Sequence, residues 1–202
     1  MWVADQGLAA VQSLDAINPV SPYVDVRGLA RPTDVALDPA DGSVWVSERT
    51  GDRVRHLSTV GGAFGSAIVR SPARLAVDSL TRNLWVVSFA ARRVSVFSFS
   101  GAVLDSIDGF SGPLGIAIDT RLGHIWVADT DGQRMVVFGR NRARLFEVPD
   151  LLEPLDVAMD PETGEAWVVL AGGRQVVRIA PDGRILRRLG GFVSLRDVAL
   201  AR

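Results

Sequence analysis

Five tryptophans recur at nearly constant spacing along this chain. They stand at Trp2, Trp45, Trp85, Trp126 and Trp167, with gaps of 43, 40, 41 and 41 residues. Each sits in the same phrase: Met1-Trp2-Val3-Ala4-Asp5, Val44-Trp45-Val46-Ser47-Glu48, Leu84-Trp85-Val86-Val87-Ser88, Ile125-Trp126-Val127-Ala128-Asp129 and Ala166-Trp167-Val168-Val169-Leu170. A fixed period of this length means that similar supersecondary units stack, because one unit alone buries too little apolar surface to be stable. No segment keeps apolar residues at helical spacing long enough to compete with short strands. The chain is therefore read as all-β.

The clearest copy runs from Gly112 to Phe138. It holds an apolar run Gly115-Ile116-Ala117-Ile118-Asp119, a hairpin loop, the tryptophan phrase, a charged turn, and a third run Met135-Val136-Val137-Phe138. A period of about 40 to 45 residues with several short strands per period is that of β-propeller blades. Whole repeats begin near Arg31, Ser71, Gly112 and Glu153, and each first run has alanine at its centre: Ala36, Ala76, Ala117 and Ala158, with Ala199 in a fifth. Continuous apolar runs predict first strands buried on both faces. The small alanine fits strands that converge on a central axis. Asp38-Pro39-Ala40-Asp41-Gly42, Asp160-Pro161-Glu162-Thr163-Gly164 and Ala180-Pro181-Asp182-Gly183 supply the turn chemistry of hairpin loops.

Residues 1–30 carry a second, third and fourth strand (Trp2–Asp5, Ala10–Leu14, Tyr23–Val26) without a first, and Leu195–Ala201 matches the first-strand phrase and then stops. Joining the two ends predicts a single domain, 1–202, of five four-stranded blades, one of them shared by 195–202 and 1–30 so that no edge is left open. Around that junction the hairpin loop is about four residues shorter than in the other repeats.

Net charge is −1, so bulk attraction to nucleic acid or an anionic surface is not expected. All 22 basic residues are arginine, scattered over every repeat. With no cysteine there are no disulfides, thiolate nucleophiles or thiolate metal sites. No apolar run reaches the length of a membrane-spanning helix, and the start lacks a basic-then-apolar leader. The chain begins inside a repeat, so any leader or anchor on a longer parent would be missing here; a monomer is expected.

The phrase Pro-x-(Gly/Asp)-(Val/Ile)-Ala-x-Asp, a loop, Gly-x-x-Trp-Val-Ala-Asp, then Arg leading a strand, resembles the NHL repeat, a β-propeller family. Pro113 to Met135 is the best copy. The resemblance implies a ring usually of six blades, against the five counted here, a binding or scaffolding role, and a setting as an extracellular or periplasmic part of a larger protein.

First strands open with Asp34, Arg74, Gly115, Asp156 and Asp197. In propeller geometry these positions surround the mouth of the axial channel, where ligands commonly bind. Two readings stand side by side. Asp34, Asp156 and Asp197 form an oxygen-only set suited to Ca2+ or Mg2+, or with Arg74 a seat for a basic peptide or amine; or each Asp caps the loop entering its strand or pairs with Arg74 or Arg196. The second-strand acids Asp5, Glu48 and Asp129 resemble the repeat's structural acid. Glu48 with Arg53, and Asp129 with Arg134, are expected to form blade-to-blade hydrogen bonds. Asp38, Asp78, Asp119 and Asp160 recur in each whole repeat and read as architecture.

Enzyme readings find little support. His56 and His124 read as separate surface or turn histidines. Kinship to propeller lactonases, peptide-amide lyases or streptogramin lyases would require His ligands or a Glu/Asn/Asn/Asp set in the axial pocket, and Asn18, Asn83 and Asn141 are not brought together by the repeat register. The Gly61-Gly62 and Gly172-Gly173 pairs lack the strand-to-helix context of a phosphate loop. The expectation is a non-catalytic module that recognises a protein, peptide or glycan on the channel face, with Arg140, Arg142 and Arg144 as a rim and no nucleic acid. The alternative is a divalent-metal hydrolase or lyase using Asp34, Asp156 and Asp197.

Overall fold

The computed structural model describes residues 1–14 and 23–199. The chain divides into two compact units, Met1–Ile107 and Asp108–Arg202.

The first unit holds three antiparallel sheets. Strands β1 (Trp2–Asp5), β2 (Ala10–Ser13) and β3 (Val24–Arg27) make a three-stranded sheet. Strands β4 (Pro32–Leu37), β5 (Val44–Glu48), β6 (Arg53–Leu57) and β7 (Ala63–Ile68) make the second, in sequence order. The third contains β8 (Leu75–Val77), β9 (Leu84–Ser88), β10 (Arg93–Phe97) and β11 (Val103–Ile107). The second unit holds the fourth sheet, β12 (Pro113–Asp119), β13 (His124–Asp129), β14 (Arg134–Phe138) and β15 (Arg144–Val148). Its fifth sheet is β16 (Pro154–Met159), β17 (Ala166–Leu170), β18 (Gln175–Ile179) and β19 (Ile185–Leu189).

The closing strand expected over Leu195–Ala201 is not observed as a strand. Residues 195–199 run outside any strand, and 200–202 lie outside the described residues. Among the described residues no helix is long and apolar enough to cross a membrane.

Burial corrects one expectation. The most buried strands are the second of each four-stranded sheet: every residue of β5 and β9 is buried, and all but one of β13 and β17. First strands are only partly buried, as in β8, where only Leu75 is buried. The reason is position: a first strand is hydrogen-bonded on one side only, whereas a second strand is flanked on both. Fourth strands are the most exposed, as β7 shows.

The alanine at the centre of each first strand has a direct explanation. Ala36, Ala76, Ala117 and Ala158 lie straight across the ladder from Trp45, Trp85, Trp126 and Trp167. Directly opposed side chains are neighbours on one face, so a small residue leaves room for the indole. Trp45, Trp85 and Trp126 are buried to 1%, 1% and 0% exposure, while Trp2 and Trp167 are half-buried. Trp45 clusters with Val54 of its own sheet and with Leu75, Leu84, Val86 and Phe97 of the next. Trp126 does the same with Met135 and Val137, then Val157 and Val168. Trp45 and Trp126 thus each cement two neighbouring sheets.

A register shift recurs at one place in every whole sheet, between the third and fourth strands: after His56, Val96, Val137 and Arg178. It is followed by the same hairpin, with a positive-φ residue at Gly61, Gly101, Arg142 and Gly183. The repeats can therefore be superposed residue by residue.

Candidate functional site

The channel-mouth residues are held by the backbone of neighbouring repeats. On β4, Asp34 accepts a hydrogen bond from the Leu75 N–H at 2.7 Å. On β16, Asp156, 5% exposed, accepts one from the Val198 N–H at 3.2 Å. Leu75 and Val198 are equivalent positions of their repeats, so the two carboxylates perform one task, latching a sheet to the segment that follows. Gly115 does it by contact instead: a Cβ there would lie 2.7 Å from the Leu155 carbonyl oxygen and 2.8 Å from Asp156 Cα. Arg74 and Asp197 immediately precede the latched residues and are more exposed. Asp34 and Arg74 lie in the first unit, Asp156 and Asp197 in the second. Among the described residues no group of three or more His, Cys, Asp or Glu side chains is arranged to hold a metal ion.

The second-strand acids tie down the chain entering their own sheets. Glu48 is fully buried and receives Arg53 through Nε and Nη2, both at 2.9 Å, Arg55 Nε at 2.8 Å and the Ala30 N–H at 2.8 Å. Burial pushes its carboxyl up, but hydrogen bonds from Arg53, Ala30 and Arg55 outweigh that and hold it below its ordinary value. Asp129 accepts from Ser111 N and Gly112 N, at 2.9 and 2.8 Å, and from Arg134 Nε at 3.0 Å. Buried carboxylates are tolerable only when compensated in this way. The loop-side acids are architectural as expected: Asp38, Asp78 and Asp119 are buried and accept from backbone N–H groups two residues on, as Asp160 does from Glu162.

His56 departs from the surface reading. It is 2% exposed on β6, lies across the ladder from Trp45 on one side and Gly65 on the other, and stacks on the indole with ring centroids 4.1 Å apart and planes 6° from parallel. Its Nε2 is 2.9 Å from Ser43 Oγ. Phe64 and Phe99 meet the imidazole edge-on, at 5.1 and 4.7 Å. Burial lowers its pKa, against the opposing pull of Asp41 and Asp38. Beside it opens a cavity of about 300 Å³ lined by Trp45, His56, Phe64, Gly65, Phe99 and Ser100.

The rim is braced by charge. Arg82 stacks its guanidinium 3.8 Å from the Phe99 ring centroid, donates from Nε to Asp38 at 2.7 Å and pairs with Asp41. The Ser43 hydroxyl and N–H, with Arg82, hold the Asp41 carboxyl down to about 2. Phe64 itself is 59% exposed. A planar imidazole, an indole and two phenyl rings around a side-chain-sized opening can enclose an apolar or aromatic group and give it one polar partner.

Superposing the repeats shows why the space exists. At the position of His56 the later sheets have Val96, Val137 and Arg178. At the position of Gly65 they have Asp105, Phe146 and Arg187. In the fourth sheet Phe146 lies against Trp126, 5.7 Å between centroids, beneath Gly183, whose Cβ would come within 2.9 Å of the ring. A Cβ added at Gly65 meets nothing within 4 Å. The sequence signal was available, as a place where the repeat breaks, but a search for recurring residues passes over it.

Comparison with known proteins bears on the fold. The model of the NHL repeat family matches residues 110–138, so the chain carries an NHL repeat there. No curated protein sequence matches the chain. Among solved structures it is similar to streptogramin B lyase, at 17% identity and a TM-score of 0.82, covering 96% of this chain and 65% of that one. It is also similar to a chain of a nidogen/laminin complex, at 19% identity and 0.76, covering 97% and 80%. A functionally unknown protein from Desulfotomaculum acetoxidans aligns at 14% identity and 0.87, covering 100% and 69%. The chain thus spans just under two thirds of the length of the streptogramin B lyase. What is shared at these identities is the fold, a β-propeller of antiparallel sheets.

Proposed function

We propose, from the premise that this chain is built of NHL-type propeller blades, that it is a non-catalytic binding module that captures an apolar or aromatic side chain of a protein or peptide partner in the cavity beside His56. One observation carries the reading: where the fourth sheet closes the space next to its tryptophan with Phe146, the second sheet has Gly65 and leaves about 300 Å³ open among aromatic rings. Pockets near this size, apolar with few polar groups, are where small ligands and anchor side chains bind. The nidogen/laminin neighbour lends general support, since its fold occurs within a protein complex. A single domain of five blades is part of this proposal, supported by the equivalence of the Asp156–Val198 and Asp34–Leu75 hydrogen bonds. The metal-dependent hydrolase or lyase reading rests on the spacing of Asp34, Asp156 and Asp197 and gains no support from their hydrogen bonds.

The test is a displayed-peptide selection on the wild-type protein, counter-selected against Gly65→Phe, which closes the cavity as Phe146 does. Enriched peptides should share one aromatic or branched apolar anchor and lose at least about tenfold in affinity for the variant, the scale of one well-buried anchor. Peptides that bind both proteins equally would place the binding surface elsewhere and sink the proposal.

A further inference from the structure

Each sheet ends in an outer strand that is paired on one side only, and among the described residues no strand lies beyond it. Such an edge is a row of unpaired backbone donors and acceptors, which proteins blunt with charge. Four of the five edges follow this rule: β3 has Asp25 and Arg27, β11 has Asp105, β15 has Arg144 and Glu147, and β19 has Arg187 and Arg188. The edge of β7 does not. Its six residues, Ala63 to Ile68, carry no charge, and five of them are exposed.

The register shows which backbone groups face outward. The Val69 N–H donates to the Asp52 carbonyl at 3.0 Å, in line with the pairing of Arg53 with Ile68, Val54 with Ala67, Arg55 with Ser66 and His56 with Gly65. Hydrogen-bonded and non-hydrogen-bonded pairs alternate along an antiparallel ladder. Ala67 and Gly65 therefore bond inward to β6, while Ser66 and Ile68 turn their N–H and C=O groups to the open side. Side chains alternate as well: Ala67 packs with Trp45 and Val54 on the cavity face, and those of Ser66 and Ile68 take the other face.

A strand added to this edge would meet two different faces. On the first, Ala36, Trp45, His56 and Gly65 lie directly opposite one another in turn, and the next residue in that row belongs to the guest. Glycine offers it no side chain, and an aromatic ring folds readily over a cross-strand glycine. Here that path leads into the cavity between Phe64 and Phe99. On the second face, Arg55 stands behind Ser66 and Arg53 behind Ile68. Both arginines share the single carboxylate of Glu48, so the face is left positive, and Arg53 is 39% exposed. Two strand spacings, roughly 10 Å, separate these arginines from the guest backbone, a gap that a glutamate and an arginine side chain bridge together.

We infer that β7 receives an antiparallel strand of a partner polypeptide, with an aromatic side chain opposite Gly65 and an acidic one opposite Ser66. The inference rests on the cavity beside His56 as the anchor site, and it adds how the partner's backbone is held. Main-chain hydrogen bonds to the edge supply affinity, and the two faces supply specificity.

The test measures, by calorimetry on the whole chain, binding of a pentapeptide blocked at both ends and composed of glutamate, threonine, glutamate, tryptophan and threonine in that order. Antiparallel pairing sets its second glutamate opposite Ser66 and its tryptophan opposite Gly65. N-methylation of that glutamate removes an N–H aimed at β7 and should weaken binding by at least about tenfold, whereas N-methylation of the tryptophan, whose N–H points away, should weaken it by less than about twofold. Ser66→Pro deletes an outward N–H and no bond within the sheet, so it should fold and lose the peptide. Equal binding of parent and both methylated peptides would overturn the added strand, and if Gly65→Phe still abolished that binding, the cavity would stand as an anchor site alone. Loss on glutamate methylation with undiminished binding to Gly65→Phe would keep the strand and refute the cavity. No binding of the parent peptide, or a wild-type dimer that Ser66→Pro separates, would each overturn the inference.

Discussion

The second and fourth sheets present the same surfaces to the sheets that follow them, Trp45 beneath the hairpin of Gly101 and Trp126 beneath that of Gly183. Beside Trp126 the ring of Phe146 fills the space under the hairpin; beside Trp45 the pair His56 and Gly65 leaves it empty. In the first sheet Val24 fills it, lying 2.6 Å from where a Cβ of Gly61 would be. The tryptophan and the tight hairpin are thus what the architecture requires, and the residue between them is where one repeat differs from another. A position that the fold leaves unconstrained is where a binding site arises without loss of the sheets around it.

The largest effect that sharpens this contrast is on the tryptophans. Trp126→Ala should lower unfolding free energy by about 3–5 kcal/mol, whereas Trp45→Ala, beside an existing cavity, should fall at or below the bottom of that range. Urea midpoints at constant m-value check both, and a larger loss at Trp45 would mean that the cavity is not open space.

Exchanging the fillers comes next. Phe146→Gly should cost about 2–4 kcal/mol, since it removes a half-buried ring and adds backbone freedom. Gly65→Phe should be neutral or stabilising by about 1 kcal/mol, because its backbone is not left-handed and its Cβ meets nothing. A Gly65→Phe protein that unfolds early would break the equivalence of the two sheets.

Acid should separate them further. The folded-state pKa of His56 lies below the ordinary 6.5, so the unfolded chain binds its proton more readily. Its contribution is complete above that value and is lost as pH falls through the folded value. Melting temperature should therefore drop more between pH 7 and 5 in the wild type than in His56→Val, with the fourth sheet's Val137 as the model for the substitution. Glu48, also held low, adds a second loss of stability below 4.5, present in both proteins. Identical profiles for wild type and variant would contradict the burial of His56.

The smallest effect concerns the channel mouth. If Asp34 and Asp156 act as backbone latches, millimolar calcium added to metal-stripped protein should leave the melting temperature unchanged, and Asp34→Asn, which keeps an acceptor for Leu75, should cost less than about 1 kcal/mol. A calcium-induced rise that Asp34→Asn loses would make these carboxylates ligands.

Repetition made the architecture legible. The tryptophans Trp45, Trp85, Trp126 and Trp167, the facing alanines and the Asx turns at Asp38, Asp78, Asp119 and Asp160 recur in every four-stranded sheet because packing and backbone hydrogen bonding must be solved anew in each, while the acid–arginine pair, Glu48–Arg53 and Asp129–Arg134, recurs in two. The sites were illegible for the opposite reason. His56 and Gly65 are informative only as exceptions, and the meaning of each depends on a cross-strand partner that register alone reveals. A lone histidine in a strand carries no sign of the ring stacked upon it.

The most direct measurement follows the imidazole resonances of His56 and His124 while N-acetyl-tryptophanamide is added to the wild type and to Gly65→Phe. The account predicts a saturable shift of His56 in the wild type, none at His124, and none at either in the variant. An unmoved His56, or the same shift after Gly65→Phe, would contradict it.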